Sequence, residues 1–119
     1  MADTLYPRAT RELAQKRREL APETQAAFDG FSRQVFADGA LSAKMKQIIA
    51  VAVAHVTQCP YCITGHTKAA LRAGATKQEL MEAVWVAAEM RAGGAFAHSA
   101  LMLATAEGEH PRQTASPGE

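Results

Sequence analysis

A chain of 119 residues has the length of one domain, and a hydrophobic content of 48% is ample for a core. A formal net charge of +1 gives no electrostatic case for nucleic acid or an anionic membrane as partner. The longest apolar run, 48–56, is nine residues and contains His55, well short of the roughly 20 that a membrane span needs. Residues 1–20 are charged throughout and lack the apolar segment of a signal peptide, so a cytoplasmic location is expected.

Taken in order, residues 1–7 read as a mobile lead, and 10–20 as a charged helix marked by Leu13 and Leu20. Pro22 opens a second helix with Glu23 in its first turn, where a negative charge suits the dipole. Phe28, Phe31, Val35 and Phe36 recur at helical spacing, which predicts a buried aromatic face, and Asp38-Gly39 ends the element. That face is better read as core than as a substrate wall, since any packed amphipathic helix needs one. Ser42 is a suitable N-cap for a third helix. Its Ile48, Ile49, Val51, Val53 and Val56 cover most of the circumference, which predicts a central position.

A fourth helix is expected from Pro60 to about Ala73, with Gly74 as the left-handed residue that ends it. Thr76 and Glu79 have capping-box spacing and open a fifth helix with Leu80, Met81, Val84, Trp85 and Ala88 on one face. Gly93-Gly94 signals a break or a close backbone approach before a sixth, about 95–106. Residues 107–119, polar and rich in Pro and Gly, read as a disordered tail that includes His110. The whole is a single all-α domain, a helical bundle of about six helices with its core at about 10–106. Its alanine-rich helices favour close helix packing and burial between subunits.

The chemistry concentrates between Gln47 and Gly74, which holds both cysteines and two of the four histidines. Pro60 biases Cys59 away from the α region, so the incoming helix stops near Gln58 and Cys59 becomes the N-cap of the next. Cys62 then lies in the first turn and His66 one turn on, all three on one stripe. Positions three apart on a helix are about 5–6 Å from one another, within reach of a disulfide. Free N–H groups and the positive end of the dipole stabilise a thiolate there. His66 is positioned to take the proton of Cys62, and a second thiol can resolve a sulfenic acid into a disulfide. A zinc site of Cys59, Cys62 and His66 with His55 or His98 is a weaker reading, because structural zinc ligands usually sit on knuckles with a second ligand pair. Weaker still is a pair of merely buried, inert thiols. No metal and no cofactor is implied, since there is no phosphate-cradling glycine loop.

Cys59-Pro60-Tyr61-Cys62 followed by His66, and preceded by Ala52-Val53-Ala54-His55 on an apolar helix, resembles the carboxymuconolactone decarboxylase-like superfamily in its alkylhydroperoxidase D-like branch. The likeness spans roughly 10–105 by order of elements, is specific over 47–74, and is looser at Arg91-Ala92-Gly93-Gly94. It implies a thiol-dependent peroxidase that reduces hydroperoxides, with Cys62 attacking, Cys59 resolving and His66 in a proton relay. It also implies a hydroperoxide substrate, a thiol reductant or redox protein as recycling partner, and a homo-oligomer, as a trimer or hexamer. The sequence departs from the family at two points. The relay glutamate twelve residues before the first cysteine is Gln47 here, an amide that cannot carry a proton but can hold a water. The histidine that tends to precede the second cysteine is Tyr61.

His55 is a candidate to substitute in the relay, and equally a core histidine bonded to a backbone carbonyl. Glu89 is a second candidate, expected to be partly buried beside Arg91. His98 reads as core or interface. Two other function classes compete: the lactone-acid decarboxylase of the superfamily, which needs no cysteine pair, and a non-catalytic redox sensor or assembly protein, which Gln47 favours.

Overall fold

The structure, a computed structural model, describes residues 5–108. It is all-helical: α1 (Arg11–Leu20), α2 (Pro22–Phe36), α3 (Ala43–Thr57), α4 (Pro60–Arg72) and α5 (Lys77–Ala106), with no strand among the described residues. Helix α3 packs along both α4 and α5, while α1 touches α2 and α2 touches α3 over short stretches. The core follows from that arrangement. Val51 of α3, Ala70 of α4, Leu80 of α5 and Ala75 before α5 form one buried cluster, with Ile48 and Val84 against it. Ala70 is fully buried and Val51 is 2% exposed, so the axes of α3 and α4 approach closely over a small side chain.

The helix ends are built as the residue types require. Thr10, Ser42 and Thr76 cap α1, α3 and α5 through their hydroxyls, and Thr76 with Glu79 completes a capping box. Gly74 adopts φ +102°, the left-handed region that glycine enters without penalty. Helix α3 ends at Gln58, which also lies in the left-handed region (φ 58°, ψ 49°) and donates its N–H to Ala54 O. A non-glycine residue held there stores strain directly before the cysteine pair.

Five helices stand where about six are expected. The difference is at Gly93-Gly94, which lies inside an unbroken α5 of 30 residues. Each glycine weakens a helix by only about 1 kcal/mol, and the ladder on either side is long enough to carry both. No side-chain or neighbouring-helix atom stands within 4 Å of a Cβ built at Gly94, so no close approach is made there. The predicted aromatic face is also not buried. Phe28 and Phe31 are 62% and 64% exposed, because α2 meets α1 and α3 over short stretches only. Leu13 and Leu20 on α1 stay exposed for the same reason. Helix α3 is central, yet its Ile49, Val53 and Val56 remain partly open, as do Met81 and Trp85 on α5.

The described part of the predicted mobile lead is docked: Tyr6 packs edge-on against Tyr61, with ring centroids 6.0 Å apart, and the Tyr61 hydroxyl donates to Pro7 O at 2.6 Å. The predicted disordered tail, beyond Glu107 and Gly108, lies outside the described residues. Among the described residues, no helix is long and apolar enough to cross a membrane.

Candidate active site

The site is built where α3 hands the chain to α4. Cys59 is the N-cap of α4, with extended backbone (φ −101°, ψ 105°), and Pro60 follows at N1. The Cys62 N–H points back at the Cys59 sulfur, 3.3 Å away. Both cysteines are free thiols and partly buried. The N-cap position divides the pair electrostatically. Hydrogen bonds from Cys62, side chain first and then backbone N–H, hold the Cys59 thiol below the ordinary thiol range, and the Tyr61 N–H adds to this. The hydrogen bond to Cys59 pushes the Cys62 thiol up, and burial and the neighbouring negative charge push the same way. The first proton lost therefore leaves an anion on Cys59 that is shared with the thiol of Cys62.

His66 lies one turn beyond Cys62. Its Nδ1 is 2.8 Å from Oε1 of Gln47 on α3, and its ring stacks on Phe36 of α2 at 5.1 Å between centroids, 25° from parallel. Three helices thus orient one imidazole. On one side the ring opens, with Cys62, onto a largely apolar cavity of about 500 Å³. Val35 and Phe36, the Ile49, Ala50, Val53, Ala54 and Thr57 face of α3, and Lys46 complete its walls. On another side the ring and Gln47 face a second cleft, lined by Arg18, Asp29, Ser32, Arg33 and Phe36. There Arg18 and Asp29 form an ion pair at 3.2 Å, and Gln25 also donates to Asp29 at 3.0 Å. The Gln25 and Arg18 bonds hold the Asp29 carboxyl below its usual range.

Of the sequence candidates, Cys59, Cys62, His66 and Gln47 converge here. His55 is turned elsewhere. Its Nδ1 lies 2.7 Å from Val51 O one turn back, the geometry of a core histidine on a backbone carbonyl, and it lines neither cavity. Glu89 is exposed rather than partly buried. Arg91, its expected partner, instead donates to Val56 O at 2.8 Å, closing a carbonyl in the last turn of α3. His98 bonds the Gly94 carbonyl in its own helix. Among the described residues, no three His, Cys, Asp or Glu side chains are grouped to hold a metal ion.

Three features escaped the sequence. Phe36 was read as core but is the platform for His66. The Gln47–His66 bond joins positions 19 apart in the chain, and no local spacing rule pairs them. The cleft of Arg18 and Arg33 had no signal at all, since charges on a helix face usually mean solvent.

A profile of the carboxymuconolactone decarboxylase family matches residues 22–106, from α2 to the end of α5. The chain belongs to that family. The family includes enzymes, both decarboxylases and alkylhydroperoxidase-like proteins. A relative, uncharacterized protein 4 in the cox locus of Paracoccus denitrificans, is 57% identical over 104 residues, covering 87% of this chain and 93% of that protein. A crystal structure from Methanobacterium thermoautotrophicum aligns with a TM-score of 0.67 at 37% identity, over 71% of this chain and 94% of that one. A carboxymuconolactone decarboxylase family protein from Legionella pneumophila, solved in its apo form, aligns with a TM-score of 0.64 at 35% identity, over 66% of this chain and 70% of that one.

Proposed function

We propose that this family member is a thiol-dependent, peroxidase-like oxidoreductase that reduces hydroperoxides through Cys62 and Cys59 with proton transfer by His66. The observation that carries the reading is the shared cavity: the Cys62 thiol and the His66 ring open onto one apolar space, while Cys59 waits at the N-cap in contact with the Cys62 N–H. In the proposed cycle His66 takes the Cys62 proton, and the sulfur attacks one peroxide oxygen. The O–O bond breaks, the leaving alkoxide takes a proton from His66 as the alcohol, and Cys62 becomes a sulfenic acid. The Cys59 sulfur then attacks that sulfenic sulfur, releasing water and leaving a disulfide. A dithiol reductant or redox protein restores both thiols.

The test is a free-thiol count and intact mass after one equivalent of organic hydroperoxide, repeated with a dithiol reductant. Rapid loss of both thiols with sustained turnover is expected, Cys62→Ser should abolish consumption, and Cys59→Ser should leave a trappable sulfenate. Peroxide consumption by the double variant at the wild-type rate sinks the proposal. The second reading, a redox sensor, draws on Gln47, whose amide cannot pass a proton onward. It predicts a single oxidation without turnover.

We also propose a homo-oligomer, as a trimer or hexamer. Trp85, Val86, Met90 and Phe96 along α5 are each more than half exposed in one chain, and packing between copies would cover such large apolar side chains. Light scattering after size exclusion measures this, and a monomer at micromolar concentration overturns it.

A further inference from the structure

The cavity beside Cys62 and His66 carries a positive charge that the peroxidase cycle does not use. Lys46, Ile49, Ala50, Val53, Ala54 and Thr57 fall on one stripe of α3, and all of them line this space. Helical rise sets Lys46 about 16 Å from Thr57 along the axis, with an apolar wall between them. Besides the thiol and the imidazole, Lys46 is the one ionisable group among the described residues that line the cavity. It is partly buried, and its ammonium donates to Ala37 O at 2.6 Å, which uses one of its three donors. Among the described residues no carboxylate pairs with it. The ion pairs there are Arg18–Asp29 and Lys44–Glu79, and Asp38, next to Ala37, accepts from the Ala43 N–H at 2.7 Å. A partly buried ammonium with donors to spare, at one end of an apolar space of ligand size, is complementary to an anionic head on an apolar body.

We propose that the cavity selects a hydroperoxide that carries a carboxylate on a hydrocarbon chain, a fatty-acid hydroperoxide, with Lys46 as the counter-ion. This rests on the thiol-peroxidase reading for the reaction, and on the cavity alone for the ligand. The hydrocarbon lies against Phe36 and the apolar stripe of α3, the hydroperoxyl group meets Cys62, and the carboxylate takes the remaining donors of Lys46. Burial of the chain supplies affinity, and the charge-assisted bond supplies selection. Position along the cavity also matters. His66 bonds Gln47, next to Lys46, and Cys62 lies one turn nearer the corner where α3 passes into α4. The reacting oxygen is therefore set part-way along the chain, away from the carboxylate. Hydrogen peroxide, with neither chain nor charge, gains from neither feature. The two thiols give up two hydrogens and two electrons, the O–O bond breaks, and a hydroxy acid and water leave a disulfide behind.

The test reads the ligand and the reaction separately. Calorimetric titration of the reduced protein with decanoate and with decanol reads the ligand. Decanoate should bind about tenfold or more tightly than decanol, weaken as salt is added, and protect Cys62 from iodoacetamide. Lys46→Gln, which keeps a donor for Ala37 O, should erase the difference, and Lys46→Arg should keep it. Equal binding of the two probes overturns the proposal, as does decanoate binding that leaves Cys62 labelling unchanged. Binding of neither, as when a second copy of the chain covers this face, overturns it as well. Turnover is then compared for linoleic acid hydroperoxide and its methyl ester, each below its micelle-forming concentration. The acid should show a KM lower by about tenfold at similar kcat, and Lys46→Gln should bring the two together. Equal kcat/KM for acid and ester in wild type overturns the substrate class and leaves the peroxidase standing. Decanoate binding through Lys46 without consumption of any hydroperoxide overturns the peroxidase reading and leaves only a carboxylate site.

Discussion

Val51→Ala tests whether the site depends on the small core beneath it. Val51 is 2% exposed and is packed with Ala70, Ala75 and Leu80. It lies one turn from Gln47 on α3 and holds α3 against α4, which carries both cysteines and His66. Truncation removes the equivalent of two methylene groups, about 1.6 kcal/mol of transfer free energy at about 0.8 each. A residual cavity of about 40 Å³ adds about 1 kcal/mol if the helices do not collapse into it. The expected loss is about 2–3 kcal/mol, a large share of the roughly 5–15 kcal/mol that a domain has in all. Urea unfolding followed by far-UV circular dichroism, at fixed protein concentration and with reductant present, should show the midpoint falling by about 1–2 M with an unchanged slope. Ala70→Val makes the opposite volume change and should also destabilise, by about 1–3 kcal/mol, because no space exists at a fully buried alanine. If hydrophobicity rather than fit governed the contact, Ala70→Val would stabilise. That result, or a Val51→Ala shift under about 0.3 M, refutes the reasoning.

Other outcomes follow from single features. As pH rises, iodoacetamide should label Cys59 first, below the ordinary thiol range, and Cys62 later; peptide mapping in the reverse order would falsify the electrostatic division of the pair. Thr76→Ala should cost about 1 kcal/mol by removing the α5 cap, read as a shift in the same urea midpoint. Glu79 is held below the usual carboxyl range first by the Thr76 backbone N–H and then by Lys44. A lowered folded value means that its contribution is present above the ordinary carboxyl range and is lost as pH falls through the lowered one. Wild type and Glu79→Gln should therefore differ in melting temperature at neutral pH and converge in acid. Gly74→Ala meets no atom within 4 Å, so its penalty is the strained φ of +102° alone. About 1–2 kcal/mol is expected on thermal unfolding, and an unchanged melting temperature would mean that the turn relaxes.

The left-handed Gln58 and the extended Cys59 explain why the pair sits on a fixed corner. Proline at 60 forbids an uninterrupted helix, so the chain turns at Gln58 and restarts with the Cys59 sulfur as the cap acceptor. The same corner gives the two thiols their different acidities, because the Cys59 sulfur accepts from the Cys62 thiol and then from its N–H, which keeps the proton on Cys62.

Local chemistry settled much of this protein from the sequence alone. The start of α4 at Pro60, its end before Gly74, the Ser42 cap and the Thr76–Glu79 box depend on neighbours within four residues, and they stand where residue type placed them. The Cys59, Cys62 and His66 stripe was legible for the same reason, since helical spacing carries side chains to one face without help from elsewhere. Periodicity could not say whether an apolar face finds a partner, and for this reason Phe28 and Phe31 were misjudged as core. Nor could it say that two glycines would be carried through α5, which depends on the length of helix on either side. The Gln47–His66 bond and the Phe36 platform belong to tertiary structure alone. Each depends on how α2 and α3 lie against α4, and that angle is decided by the fit of Val51 over Ala70, a contact between residues 19 apart that no local rule encodes.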